Sequence, residues 1–283
     1  MTIEKSNAYQ SALNLDNYLI EDDSSVLNRK TIIYFTSNGI CPNDTEEEME
    51  QQIIKKNFFE FYKTRLHGFQ RHIFVRDVSK SFYLYGISNK VNSIEKLAQL
   101  LKSLALSDEI YCTGVSAGGN IAIILAALLG AKSIAFDVIP NLFDDEFLGY
   151  KPIIAARQDA NLRPYMHLQE YLQRNPCKYK PIIFHSCQSK DDIIRMQNMH
   201  TLDCVKIFNI KYRHHGMQFS KVAIPFFTWD KLINIANNKA YHKEFFCLKL
   251  NIFLTLKICA VYVYKICRSY TNVSRIRKFI KIK

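Results

Sequence analysis

Residues 109–130, EIYCTGVSAGGNIAIILAALLG, decide the fold. The first five, EIYCT, read as a short strand. Next come Gly114-Val115-Ser116-Ala117-Gly118-Gly119, a turn with small residues two positions either side of a serine. Residues 120–129 are then almost wholly apolar and stop at Gly130, a natural helix C-cap. A helix apolar all round is buried on both sides. For a serine to present its hydroxyl above a sheet, it must sit on a sharp strand-to-helix turn with strained backbone angles. Its neighbours two before and two after must be small, because the strand and helix backbones approach each other there. A bare Gly-x-Ser-x-Gly is a moderate signal. Between a strand and a buried helix it is a strong one.

Working outward, short apolar runs alternate with helical patterns, the signature of a parallel sheet covered by helices. Residues 31–36 (TIIYFT) predict a strand ending in Ser37-Asn38-Gly39, and residues 72–75 (HIFV) predict another, leading into Arg76-Asp77. Residues 92–106 predict a helix, with Asn92 and Glu95 as a capping box and Ile94, Leu97, Leu101 and Leu104 at helical spacing. Residues 133–139 (SIAFDVI), 181–185 (PIIFH) and 204–210 (CVKIFNI) predict three more strands. Residues 141–180 read as irregular, with one helix near 166–174, and form a candidate lid. The predicted architecture is α/β: three layers, a mostly parallel sheet with helices on both faces, plus a basic apolar C-terminal tail. It divides into a lead-in (1–30), the α/β domain (31–240) and the tail (241–283).

A serine is a weak nucleophile unless a base takes its proton and an acid orients that base. On a turn of this kind the three follow in the order Ser, Asp or Glu, His. After the 181–185 strand stand Asp191 and Asp192; after the 204–210 strand stand His214, His215 and Gly216. Ser116, Asp191 and His215 are therefore the candidate catalytic residues. His215 is preferred because Gly216 leaves room around it, with His214 as the alternate. Asp191 is preferred slightly over Asp192, which is placed to cap a helix beginning near Ile193. The candidate oxyanion hole uses the backbone N–H of Ala117 and a second donor from Asn38 or Gly39, in the turn after the first strand. An ordinary β-turn explains Asn38-Gly39 equally well.

Composition removes other classes. With 48% hydrophobic and 23% charged residues the chain is not disordered. Its formal net charge is +12, from 38 Lys+Arg against 26 Asp+Glu, but residues 245–283 hold nine bases and no acid. The remainder is nearly neutral, which is not the profile of a nucleic-acid binder. Lys249, Lys257 and Lys265 cut the apolar part of the tail into uncharged stretches of at most seven residues. A spanning helix wants about twenty. A helix lying on an anionic membrane, followed by a polybasic end, fits better. The opening residues, MTIEKSNAY, lack a basic region followed by an apolar run, so no secretory leader is expected, and the eight cysteines form no C-x-x-C pair. Reduced thiols in the cytoplasm, peripheral at the inner face of the membrane, are the expectation. No metal or cofactor site is readable; His67, His72, His167, His185 and His200 have no ligand spacing.

The arrangement resembles the α/β-hydrolase fold and, more narrowly, is similar to hydrolase-like proteins found with bacterial capsule and surface-glycan biosynthesis machinery. The resemblance covers about residues 31–237. It rests on the early strand with its Ser-Asn-Gly turn, on Arg76-Asp77 followed by Tyr83-Leu84-Tyr85-Gly86, on Gly114–Gly119 with Ile134–Phe136, and on the late Asp and His-Gly. It implies a serine esterase or acyl-transfer enzyme acting on an ester, such as an O-acetyl group, of a capsule or surface glycan. The alternative is a non-catalytic, membrane-associated factor in polysaccharide assembly that uses the fold as a scaffold. Arg76 and Asp77 are expected as a buried structural pair.

Overall fold

The computed structural model describes residues 3–210 together with His215, Trp229 and Asp230. The chain divides into two units, Met1–Asn237 and Asn238–Lys283, and every described residue lies in the first. The expected membrane tail, 245–283, and the alternate base His214 lie outside the described residues. Among the described residues, no helix is long and apolar enough to cross a membrane.

Seven strands form one sheet: β1 (Tyr18–Asp22), β2 (Thr31–Phe35), β3 (Arg71–Val75), β4 (Ile110–Val115), β5 (Lys132–Phe136), β6 (Ile182–Ser186) and β7 (Lys206–Ile210). Their spatial order is β1-β3-β2-β4-β5-β6-β7. Only β1 runs antiparallel, pairing with β3 from Tyr18 opposite Val75 to Asp22 opposite Arg71; every other neighbouring pair is parallel. β2 and β4, in the middle, are buried along their whole length, as continuous β-branched and aromatic runs require when both faces are covered. This is the α/β-hydrolase architecture, with the serine turn at the end of its central strand.

Seven α-helices accompany the sheet among the described residues: α1 (Asn7–Leu13), α2 (Glu46–Met49), α3 (Ile94–Leu104), α4 (Ala117–Leu129), α5 (Lys151–Gln158), α6 (Leu168–Arg174) and α7 (Lys190–Met196). Alternate strand residues serve two layers. Ile33, Phe35, Ile73, Val75 and Cys112 join the core shared with α3, α4 and α6. Between them, Tyr34, Phe74 and Tyr111 meet an aromatic layer: Tyr34 stacks on Phe74 at 4.9 Å, while Phe69 and Trp229 each meet Tyr111 edge-on at 4.9 Å. Ten of the thirteen residues of α4 are buried. At about 1.5–3 kcal/mol for each fully buried Ile or Leu, this helix fastens the serine turn to the core.

Several elements depart from the sequence reading. The lead-in is part of the domain: Ser6 caps α1, accepting from the Tyr9 N–H at 3.2 Å, and residues 18–22 supply the edge strand. α3 is capped by Ser93, whose extended backbone lets Oγ accept from the Lys96 N–H at 3.2 Å; Asn92 instead accepts from the Lys96 ammonium, and Glu95 from Tyr165. The helix stops at Leu104, since Ala105 is extended and the Leu106 N–H turns to Thr31 Oγ1 at 3.0 Å. β5 ends at Phe136 because Asp137 takes a φ of +43° and turns the chain out of the sheet. The buried Asn120 carboxamide then grips Ile139 from both sides, accepting from its N–H at 2.8 Å and donating to its carbonyl. Residues 141–180 hold more order than predicted: a 3-10 turn (Asp145–Phe147), α5, a second 3-10 turn (Arg163–Tyr165) and α6.

Candidate active site

Ser116 occupies the junction of β4 and α4 with φ 55° and ψ −122°. A non-glycine residue there stores about 1–3 kcal/mol of strain. The surroundings hold it in place. Its N–H donates to the Phe136 carbonyl at 2.9 Å, and its own carbonyl accepts from Gly119 and Asn120. The turn closes only because two neighbours lack side chains. A methyl group on Gly114 would lie 2.2 Å from the Gly118 carbonyl oxygen, and one on Gly118 would lie 2.2 Å from the Phe35 carbonyl oxygen. The small-residue requirement read from the spacing is thus a contact between backbones.

His215 approaches this serine from the far side of the sequence. Its Nε2 lies 3.0 Å from Ser116 Oγ, and its Nδ1 lies 2.7 Å from Asp192 Oδ1. The expected acid, Asp191, is not the one in place: it is exposed, whereas Asp192 is buried. The reason is helical phase. α7 begins at Lys190, with Ser189 as its N-cap, so Asp192 belongs to the first turn and is not itself the cap. Successive residues point about 100° apart on a helix, and that step turns Asp191 outward and Asp192 toward His215. Burial alone would push the Asp192 carboxyl up. The hydrogen bond and charge of His215, helped by Ser189 and Arg195, outweigh it and hold the group below the usual carboxylate range.

Arg195, absent from the sequence reading, completes the cluster. Its Nη1 donates to Asp192 Oδ1 at 3.1 Å and lies 3.3 Å from His215 Nδ1. The other edge of the guanidinium grips Glu146, Nε to Oε1 at 3.0 Å and Nη2 to Oε2. Arg195 stands one helical turn after Asp192, so an i,i+3 pair was visible once α7 was placed. Glu146, 49 residues away on the 3-10 turn of the candidate lid, left no such trace.

For an oxyanion, the first N–H of α4 belongs to Ala117, and a first-turn N–H has no acceptor within its helix. Of the two second donors expected, Gly39 is engaged: its N–H points to Ser37 Oγ at 3.3 Å. The Ser37 N–H is also taken, by Glu60 at 2.6 Å. Asn38 begins the 3-10 turn Asn38–Ile40, so its N–H is the donor left over; its side chain contacts the Lys80 carbonyl and Tyr150. Tyr83 steadies the loop by donating to the Thr36 carbonyl at 2.8 Å. Arg76 and Asp77 are both buried and structural, yet they do not pair with each other. Arg76 binds Asn17 and the Phe58 carbonyl, and Asp77 collects donors from Ser79, Ser81 and the Tyr83 N–H. Among the described residues, no group of three His, Cys, Asp or Glu is arranged to hold a metal ion.

A strained serine at the end of a central parallel strand, with a histidine and a buried aspartate in line behind it, is the site layout of α/β-hydrolase-fold proteins. No protein-family model and no curated protein matches the chain. Among solved structures, it is similar to the capsule O-acetyltransferase of Neisseria meningitidis serogroup A, at 14% identity and a TM-score of 0.49 over 80% of this chain and 93% of the other. It is also similar to an S-formylglutathione hydrolase from Agrobacterium tumefaciens, at 11% identity and a TM-score of 0.48 over 77% and 88%. A fluorophosphonate-binding serine hydrolase of Staphylococcus aureus gives 15% identity and a TM-score of 0.46 over 78% and 92%. At these identities and scores, the functional reading rests on the geometry of Ser116, His215 and Asp192.

Proposed function

We propose that the chain is a serine esterase or acyl-transfer enzyme. The observation that carries this reading is the line from Ser116 Oγ to His215 Nε2 at 3.0 Å and from His215 Nδ1 to Asp192 at 2.7 Å. Ser116 Oγ attacks an ester carbonyl carbon while its proton passes to His215 Nε2. Asp192 Oδ1 holds the Nδ1–H and so fixes the ring's tautomer and stabilises the imidazolium that forms. The N–H groups of Ala117 and Asn38 receive the oxyanion. His215 then returns the proton to the departing alcohol oxygen, leaving an acyl group on Ser116. Water, or the hydroxyl of an acceptor sugar, attacks that acyl group in the reverse of the first half. No metal or cofactor enters these steps.

The glycan part of the reading, an O-acetyl ester on a bacterial capsule or surface polysaccharide, rests on the sequence resemblance. The charge of residues 245–283 supports a peripheral position at the inner face of the cytoplasmic membrane, with the basic tail against anionic lipid. Fluorophosphonate labelling and hydrolysis of short p-nitrophenyl esters test the chemistry. Both are expected in the full chain; Ser116→Ala abolishes the labelling and lowers hydrolysis roughly 10⁶-fold. A folded protein that never labels at Ser116 overturns the proposal.

A further inference from the structure

The position of Arg195 is not required by Ser-His-Asp chemistry. Its Nη1 sits 3.3 Å from the imidazole Nδ1 and 3.1 Å from the one carboxylate oxygen, Asp192 Oδ1, that the imidazole uses. A cation so placed has two consequences. It favours the ionised carboxylate, and it disfavours the imidazolium that appears whenever Ser116 gives up its proton. The second consequence is adverse unless something offsets the charge. Glu146 does so: its carboxylate takes the guanidinium through two parallel N–H···O bonds, on the edge facing away from His215. Arg195 is largely buried and Glu146 partly so, so solvent screens their fields less than on an open surface.

We propose that Arg195 and Glu146 are positioning residues that set the basicity of His215, with Arg195 aiming Asp192 and Glu146 neutralising Arg195 from the candidate lid. This rests on the reading of Ser116, His215 and Asp192 as the acyl-transfer site. Its effect is to make the base answer to residues 145–147. With Glu146 on Arg195, the cation's field at the imidazole is partly offset. Without Glu146, the imidazolium is harder to form and the base is weaker. Among the described residues, the charged groups around His215 are Asp192 and Arg195 on α7 and Glu146 on the 3-10 turn. Asp144 stands just before that turn, and burial with the nearby Glu146 charge pushes its carboxyl up.

Two substitutions pull in opposite directions. Glu146→Gln removes one of the two carboxylates paired with Arg195, so the pH at which His215 becomes neutral falls. Arg195→Met removes the cation, so that pH rises. Each change is about one pH unit for partly buried charges at these separations. Arg195→Lys keeps the charge and loses the fork; it leaves that pH near the wild-type value while kcat drops about tenfold. The first readout is the acid limb of kcat/KM for a p-nitrophenyl ester. The second is the His215 imidazole titration followed by NMR in a Ser116→Ala background, which needs no catalysis. Opposite displacements in the NMR titration support the coupling even if the protein proves to be no hydrolase. Activity with unmoved limbs keeps the hydrolase reading and overturns this one. Displacement of both variants in the same direction also overturns it, because loss of packing has no sign whereas charge does.

Discussion

Ser116 stands on one unbroken segment, residues 109–130, whereas the groups that act on it come from separate parts of the chain. Asp192 and His215 lie 23 residues apart, and Glu146 is 49 residues before Arg195. The serine side is made by local geometry: two glycines, a positive φ and a helix too apolar to face water. The acid–base side is made by tertiary placement of a short helix, a 3-10 turn and one residue after β7. Backbone contact fixes the first, so substitutions around Ser116, the serine itself apart, register mainly as lost stability. Side-chain hydrogen bonds fix the second, so substitutions there register as lost chemistry on an intact fold.

After loss of the nucleophile itself, the largest expected effect lies on the acid–base side. Asp192→Asn is expected to lower kcat/KM for ester hydrolysis by about 10⁴-fold, while Asp191→Asn changes it by no more than about twofold. Equal losses at the two positions would break the distinction that helical phase draws between them. On the serine side, Gly118→Ala drives a methyl group into the Phe35 carbonyl and is expected to destabilise the fold by about 2–4 kcal/mol in urea melts. Gly130→Ala, where the nearest atom is the flexible Lys178 chain at 3.7 Å and only the left-handed φ opposes it, costs about 1–2 kcal/mol.

Smaller effects sharpen the boundary between the halves. Glu60→Gln weakens the hold on the Ser37 N–H and lets the loop before Asn38 shift; kcat is expected to fall about tenfold with little change in KM. Acid is the gentlest probe. Asp192 titrates lower in the folded chain than unfolded, so its contribution to stability is complete above the ordinary aspartate value of about 4 and fades as pH falls through its folded value. Urea melts at decreasing pH should therefore show a loss in the wild type that is shallower in Asp192→Asn. Parallel curves would show that the carboxylate adds nothing to the fold.

The contrast also explains what the sequence exposed. The parallel strands were legible because each is a short run of β-branched and aromatic residues between turn signals. Ser116 was legible because its neighbours must be glycine. β1 was not, since YLIED is a half-buried edge strand with no clean alternation. α5 was obscured by Pro152, which is tolerated in a helix only in its first turn. Asp191 and Asp192 are adjacent and alike, and only the start of α7 at Lys190 separates their directions. Gly39 and Asn38 are equal candidates in the sequence, and only the Ser37 Oγ that occupies the Gly39 N–H separates them. Arg195 and Glu146 carry no motif, because an ion pair between distant segments leaves no spacing to read.

The carboxamide of Asn120 meets both backbone groups of Ile139, as an opposing strand residue would. One side chain thereby holds the loop after β5 as a strand pairing would, and it does so from the helix that begins beside Ser116. The path toward residues 141–180 consequently starts from an anchored point. Beyond that anchor the chain carries Glu146 to Arg195, so a change of length or shape there would reach the base while the turn at Ser116 stays held.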